Sequence, residues 1–241
     1  MTETLLLAVI LIPCLIVAIV FHEVAHGWAA LALGDPTAKE QRRLSLNPIR
    51  HIDPIGTLLV PGALALFGGP IFGWAKPVPV RGDRLRDPRF GMVAVAAAGP
   101  GTNLLLALVG AVLFGAVSGA IIAAGAVPPD WLLSAGGMFI LINVFLALFN
   151  LLPIPPFDGS HIVGGLLPRK WAVNWQKLQS LGMLFFIVLI AATWAFPDSG
   201  LIENTVLPPV LWMQERYFEL AEWVARGIAG GATSSPHHMA G

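Results

Sequence analysis

Apolar residues along the chain gather into five long stretches, at 5–33, 55–72, 90–124, 131–152 and 181–196, with the lysines and arginines confined to the connections. A helix needs about 20 residues to cross a hydrocarbon core of about 30 Å. The first, third and fourth stretches meet that length, and the fifth, at 16 residues, sits at its lower edge. The second is interrupted by Pro61, Gly62, Gly68, Gly69 and Pro70, which predicts a broken or re-entrant segment buried against protein. Loop charge supports that choice: Lys and Arg number four in 34–53, five in 73–90, none in 125–130 and three in 153–179. If 55–72 enters and leaves on one side, every basic connection is cytoplasmic and the bare loop lies outside. The pattern therefore predicts an all-α polytopic membrane protein with four transmembrane helices, a re-entrant segment and an outside N-terminus.

Composition agrees with this reading. Hydrophobic residues make up 56% of 241, charged residues 12%, and mean hydropathy is +0.76, whereas soluble domains carry about 25% charge. Net charge is zero, and no basic run interleaved with aromatics points to nucleic acid. The single cysteine, Cys14, sits in a Leu/Ile/Val run and reads as a small packed hydrophobe. Met1-Thr2-Glu3-Thr4 lacks the positive start of a secretory signal, so the first stretch reads as a retained span.

The chemistry begins inside that span, where residues 22–26 read His22-Glu23-Val24-Ala25-His26. Residues four apart on a helix share a face with Cβ atoms about 5–6 Å apart, so two imidazoles can converge on one zinc ion. Glu23, beside the metal without needing to ligate it, can take the proton of a water whose pKa the metal lowers to about 7. Ionisable groups at membrane depth are expensive and usually functional. His22 and His26 come late in a span running inward, which sets the metal in the cytoplasmic third. A third ligand must reach that depth, and the tract from Asn150 through Pro153, Pro155 and Pro156 to Asp158-Gly159 begins where the fourth stretch returns to the same side. Its prolines cannot continue a helix, so Asp158 is a carboxylate on a rigid, non-helical segment. Two histidines and a carboxylate leave one position open, the pattern of catalytic zinc.

Two other segments have a role in this reading. Residues 73–80, Gly-Trp-Ala-Lys-Pro-Val-Pro-Val, alternate proline with other residues, which keeps them extended as a short membrane-associated β element. Trp74 and Val78 are its candidate substrate contacts, with Val78 pairing to an unwound substrate strand by β-augmentation. Near the C-terminus, Met213, Tyr217, Leu220, Val224 and Ile228 share one helical face and Glu215, Glu219, Glu222 and Arg226 lie away from it. The division expected is a core over 1–200, an amphipathic helix on the membrane surface over 201–230 and a flexible tail over 231–241.

With these pieces placed, the chain resembles the site-2 protease family of intramembrane zinc metalloproteases in its compact bacterial form. FHEVAHG at 21–27 is similar to the family's HExxH helix, AAAGPGTNLLLA at 96–107 to its Gly-Pro-x-x-Asn helix, and NLLPIPPFDG at 150–159 to its Asn-x-x-Pro-x-Pro-x-x-Asp-Gly segment. The resemblance implies one zinc per chain held by His22, His26 and Asp158, with Glu23 as base and Asn150 beside the scissile carbonyl as an oxyanion donor. Asn103 stands between substrate contact and helix packing. No inserted PDZ-like domain or nucleotide-sensing pair is present between or beside the motifs. The implied activity is endopeptidase cleavage of transmembrane protein substrates in the bacterial inner membrane, with the site toward the cytoplasm. Membrane-anchored transcription regulators, anti-sigma factors and remnant signal peptides are the substrate classes implied, and a homo-oligomer is compatible with the sequence. Two other readings stand beside it: a zinc permease using the same three residues as an ion stop, and a non-catalytic scaffold for membrane helices.

Overall fold

The computed structural model describes residues 2–60, 63, 66, 74–196, 200 and 204–233. Helices α1 (Thr2–Ala32), α2 (Thr37–Glu40), α3 (Pro88–Ala123), α4 (Asp130–Asn150), α5 (Asp158–Leu166), α6 (Arg169–Gln179), α7 (Gly182–Ala195) and α8 (Leu207–Thr233) follow one another, and no strand occurs among the described residues. Three of them, α1, α3 and α4, are long and apolar enough to cross a membrane. α3 starts where the Asp87 carboxylate accepts the N–H groups of Arg89 and Phe90 at 2.9 and 3.0 Å, with Pro88 in the first turn. It stops at Gly125, whose positive φ of 77° lets the N–H groups of Gly125 and Ala126 turn back onto Ile122 and Ile121.

α3 is the hub, and its sequence explains why. Gly91, Val95, Gly99, Asn103, Ala107, Ala111, Gly115 and Gly119 recur every fourth residue, and all are buried. A four-residue interval falls about 40° past a full helical turn, so the stripe winds round α3 and meets different neighbours in succession. Val95, Gly99 and Asn103 face α1, which runs antiparallel. Ala107 and Ala111 join Ile140 and Val144 of α4 in the main apolar cluster. Gly115 and Gly119 face Ala221 and Ala225 of α8, where a Cβ at either glycine would run into a backbone carbonyl. Close helix packing through small residues supplies the dispersion contacts that hold helices together where lipid offers no hydrophobic gain.

The structure bears on three expectations. The stretch at 181–196 forms α7, whose 14 residues span about 21 Å, short of the roughly 30 Å core; among the described residues three helices have crossing length. The expected β element is an irregular strap over 74–81: backbone groups of Trp74, Lys76, Pro77, Val78 and Arg81 bond to loops and side chains, and no ladder forms among the described residues. α8 lies lengthwise on the bundle, parallel to α3, with Met213, Tyr217 and Leu220 packed against the main cluster and the Tyr217 hydroxyl donating to the Leu104 carbonyl at 3.1 Å. The first part of its apolar face is thus covered by protein, while Ile228 at the far end is exposed. Most of the segment expected to re-enter at 55–72, beyond a π-helical turn at Pro54–Leu59, and the tail beyond 233 lie outside the described residues.

Candidate metal centre and active site

His22 and His26 are one turn apart on α1, with ring centroids 4.7 Å apart, ten and six residues before the helix ends at Ala32. Asp158 opens α5, and its Oδ2 lies 3.2 Å from His22 Nε2 and 3.3 Å from His26 Nε2. The approach depends on glycines and on one arginine. Gly99 lies under both imidazoles, where a Cβ would sit 2.5 Å from His26 Nε2 and 2.7 Å from His22 Cε1. Gly159 lets the start of α5 press on the carbonyls of Leu151 and Leu152 at the end of α4. Arg89, in the first turn of α3, donates to the carbonyls of Gly165 and Leu167 at 2.6 Å each and so caps the far end of α5.

Hydrogen bonding fixes the protonation of both rings. His26 Nδ1 faces the Val95 carbonyl at 2.7 Å, an obligate acceptor, so Nδ1 carries the hydrogen. His22 Nδ1 faces Asn103 Oδ1 at 2.6 Å, and the Asn103 amide is oriented by its Nδ2 donating to the Ala18 carbonyl at 3.1 Å and to Asn143 Oδ1 at 2.9 Å. In the neutral rings both Nε2 atoms are then bare lone pairs. They point at Asp158 Oδ2, itself buried and without a hydrogen-bond donor. Three acceptor atoms gathered in one place repel unless a cation lies among them, and two imidazoles with a carboxylate are a donor set that zinc takes. The residues present fit a metal ion, and the three ligand atoms lie within 4.8 Å of one another.

Glu23 adjoins this group, and its Oε2 accepts the backbone N–H of Val78 at 2.8 Å. The strap that carries Val78 is tied at several points. Trp74 N–H donates to the Gly56 carbonyl at 3.1 Å and Lys76 N–H to the His51 carbonyl at 2.8 Å. The Arg43 guanidinium donates to the carbonyls of Lys76 and Pro77 at 2.8 and 3.3 Å. Arg81 N–H donates to Asp35 at 2.6 Å. Asp35 is fully buried and also accepts the Thr37 hydroxyl and N–H. Burial pushes its carboxyl up, but the hydrogen bonds from Arg81 and Thr37 and the charge of Arg84 hold it below the usual carboxylate range.

Two cavities meet at His22, Glu23, Asn150 and Pro156. One, of about 240 Å³, is walled by Ile19, Leu146, Phe149, Phe157 and Phe186, with Trp74 and Ala75 across from them. The other, of about 300 Å³, holds His26, Asp158 and His161 together with Val78. Asn150, at the last turn of α4, lines both; its Nδ2 donates to the Leu146 carbonyl at 2.9 Å and keeps a second N–H without a partner among the described residues. Trp74 and Val78 thus face the space beside Glu23, one in each cavity. Asn103 lines neither: it is buried behind His22. Asn143 and Asp35 were not anticipated. A lone amide in an apolar span was the available signal for Asn143, whereas an Asp after Gly34 reads as an ordinary turn.

Comparison with known proteins places these residues in context. The family model described as peptidase family M50 matches residues 120–192, a region that includes Asn150 and Asp158. YwhC of Bacillus subtilis, named as a zinc metalloprotease, is 42% identical over 182 residues, covering 74% of this chain and 78% of its own length. MJ0611 of Methanocaldococcus jannaschii, named likewise, is 31% identical over 157 residues, covering 64% of this chain and 68% of that protein. Rip3 of Mycobacterium tuberculosis, also named as a zinc metalloprotease, is 29% identical over 190 residues; the match takes in 74% of this chain and 44% of Rip3. No solved structure matches the chain significantly.

Proposed function

The chain belongs to peptidase family M50, the site-2 proteases, and from that premise we propose that this metalloprotease is an intramembrane zinc endopeptidase acting on single-span or similar membrane-protein substrates. The observation that carries the reading is the convergence of two bare imidazole nitrogens on a buried carboxylate oxygen with Glu23 alongside. His22, His26 and Asp158 would hold the zinc, which when bound supplies Lewis-acid polarisation of the scissile carbonyl and of the attacking water. Glu23 accepts a proton at its carboxylate and returns it to the leaving amine. Asn150 donates its spare amide N–H to the oxygen on which charge develops, a contact of a kind worth about 3–4 kcal/mol at a transition state. The backbone of the strap holds the base in place through Val78.

Depth supports cleavage within the membrane, since His26 and His22 sit six and ten residues from the end of α1, about 9 and 15 Å along the helix. The basic connections gather at that same end, with Arg43, Arg81 and Arg89 tying the strap and α5 in place, and the positive-inside tendency makes that end cytoplasmic in a bacterial inner membrane. Metal analysis of the purified chain in detergent, followed by incubation with a model single-span substrate, tests the reading. One zinc per chain and cleavage by the native protein are expected, with Glu23→Gln keeping the zinc and losing cleavage. Equal cleavage by both, or by neither despite bound zinc, would overturn it in favour of a permease or a scaffold.

A further inference from the structure

A groove of about 750 Å³, larger than either cavity beside Glu23, runs between α1 and α3 on the other side of α1. Phe21, Val24, Ala25 and Trp28 form its α1 wall at the spacing of a single helical face. At about 100° per residue that face lies roughly opposite the one bearing His22, Glu23 and His26. Across the groove, Gly101 of α3 has open space where a Cβ would stand, and Phe21, Trp28 and Leu105 are exposed along the rim. Both helices have crossing length, so the groove opens onto hydrocarbon and takes an apolar occupant.

One end of the groove is closed by Leu44 and Leu46. Leu44 packs so tightly on α1 that a Cβ at Gly27 would meet it at 2.4 Å, which puts this end near the last turns of α1. Arg42 precedes Leu44 by two residues, at most about 7 Å of chain, and Arg50 Nη1 donates to the Arg42 carbonyl at 2.7 Å. The two side chains therefore belong to one patch. Both are exposed and neither meets a carboxylate among the described residues, whereas Arg81, Arg84, Arg216 and Arg226 each do. Residues 41–52 hold three arginines and no acidic residue, and the third, Arg43, is spent on the strap. Trp28, at the same end, is of the residue type that settles at headgroup level.

We propose that this groove binds one anionic phospholipid, an acyl chain lying between α1 and α3 and the phosphate held by Arg42 and Arg50. Cations at one end and hydrocarbon along the rest match the head and tail of such a lipid, and a guanidinium presents its N–H groups to phosphate oxygens as a fork. The bound chain ties α1 to α3 from the face opposite His22 and His26, so the lipid stabilises the pair of helices that carries them. The site goes beyond the protease reading and does not depend on it.

The full chain in detergent is titrated with phosphatidylglycerol or with phosphatidylcholine of the same acyl chains, with bound lipid counted by native mass spectrometry and the thermal unfolding midpoint followed alongside. One phosphatidylglycerol per chain should bind about tenfold or more tightly than phosphatidylcholine and raise the midpoint. Arg42→Gln combined with Arg50→Gln should bring the two lipids to within about twofold, since each cation near an anionic headgroup is worth about fivefold. A Cβ at Gly101 meets no atom within 4 Å, so Gly101→Leu fills the groove without pushing the helices apart and should abolish phosphatidylglycerol binding at native helical content. Gly101→Ala, adding one methyl group, should keep it. Equal affinity of the native chain for the two lipids, or an undiminished preference in the arginine double variant, would overturn recognition of the headgroup. Full binding by Gly101→Leu would overturn the groove as its place. If Gly101→Leu instead changes the oligomeric state, read by light scattering, while lipid binding is unaltered, a protein helix occupies the groove and the proposal fails. The arginine pair lies in a surface loop, so its result stands independently of any disturbance to α3.

Discussion

The backbone N–H of Val78 donates to the Glu23 carboxylate across 2.8 Å, so the strap that closes over the site also holds its base. A hydrogen bond to a charged acceptor is worth about 1.5–3 kcal/mol. Val78→Pro deletes that N–H and should lower kcat about ten- to hundredfold with zinc content unchanged. Val78→Ala keeps the N–H and should stay near native. Equal loss in the two variants, measured by initial cleavage rates alongside metal analysis, would mean that the side chain of Val78 matters and the bond to Glu23 does not.

Asn103 and Asn143 form the support for His22. Both are fully buried, and the Asn143 amide donates in turn to the Phe139 carbonyl at 2.9 Å. Asn103→Ala leaves His22 free to take the other tautomer and should weaken zinc binding about ten- to hundredfold, the usual effect of removing an outer partner of a ligand. Asn143→Ala should weaken it less, because Asn103 keeps its bond to Ala18. Competition titration with a zinc chelator reads both; unchanged affinity in Asn103→Ala would show that the ring is oriented by packing alone.

Gly99 offers a test of the same centre from beneath. A methyl group there would lie 2.5 Å from His26 Nε2 and 2.7 Å from His22 Cε1, and overpacking of this kind costs about 1–3 kcal/mol. Gly99→Ala should retain helical content by circular dichroism yet bind zinc substoichiometrically. Full occupancy with native affinity would mean that α1 and α3 separate without disturbing the ligands.

Much of the site was legible because its spacing is local. The four-residue spacing of His22 and His26 places two rings on one face, and the prolines before Asp158 end α4 at the depth of those rings. The placement of α8 was not legible: its apolar face fits a membrane surface as well as a protein one, and only the small residues on α3 at Gly115 and Gly119 make room for Ala221 and Ala225. The alternation of prolines at Pro77 and Pro79 marked the strap as extended, but alternation does not say which partner each edge meets. Val78 was therefore expected to pair with substrate where the fold gives its N–H to Glu23. Asn103 was ambiguous for a similar reason, since a polar residue in an apolar helix announces a partner without naming it.

Asp35 supplies a pH-dependent test of the strap's anchorage. Its carboxylate is buried and accepts the Arg81 N–H at 2.6 Å as well as the Thr37 hydroxyl and N–H, and the net effect is a folded-state pKa below the ordinary one. A depressed folded pKa contributes stability that is complete above the unfolded value of about 3.9 and is lost as pH falls through the folded value. Asp35→Asn should therefore lower the thermal unfolding midpoint at pH 7, by the equivalent of about 1.5–3 kcal/mol for a charged hydrogen-bond acceptor. The gap between native and variant should close as the pH is taken below about 4. Comparing the two proteins at each pH cancels pH effects common to both. A gap that stays constant down to acid pH would mean that Asp35 holds the strap through its shape, and that its charge contributes nothing.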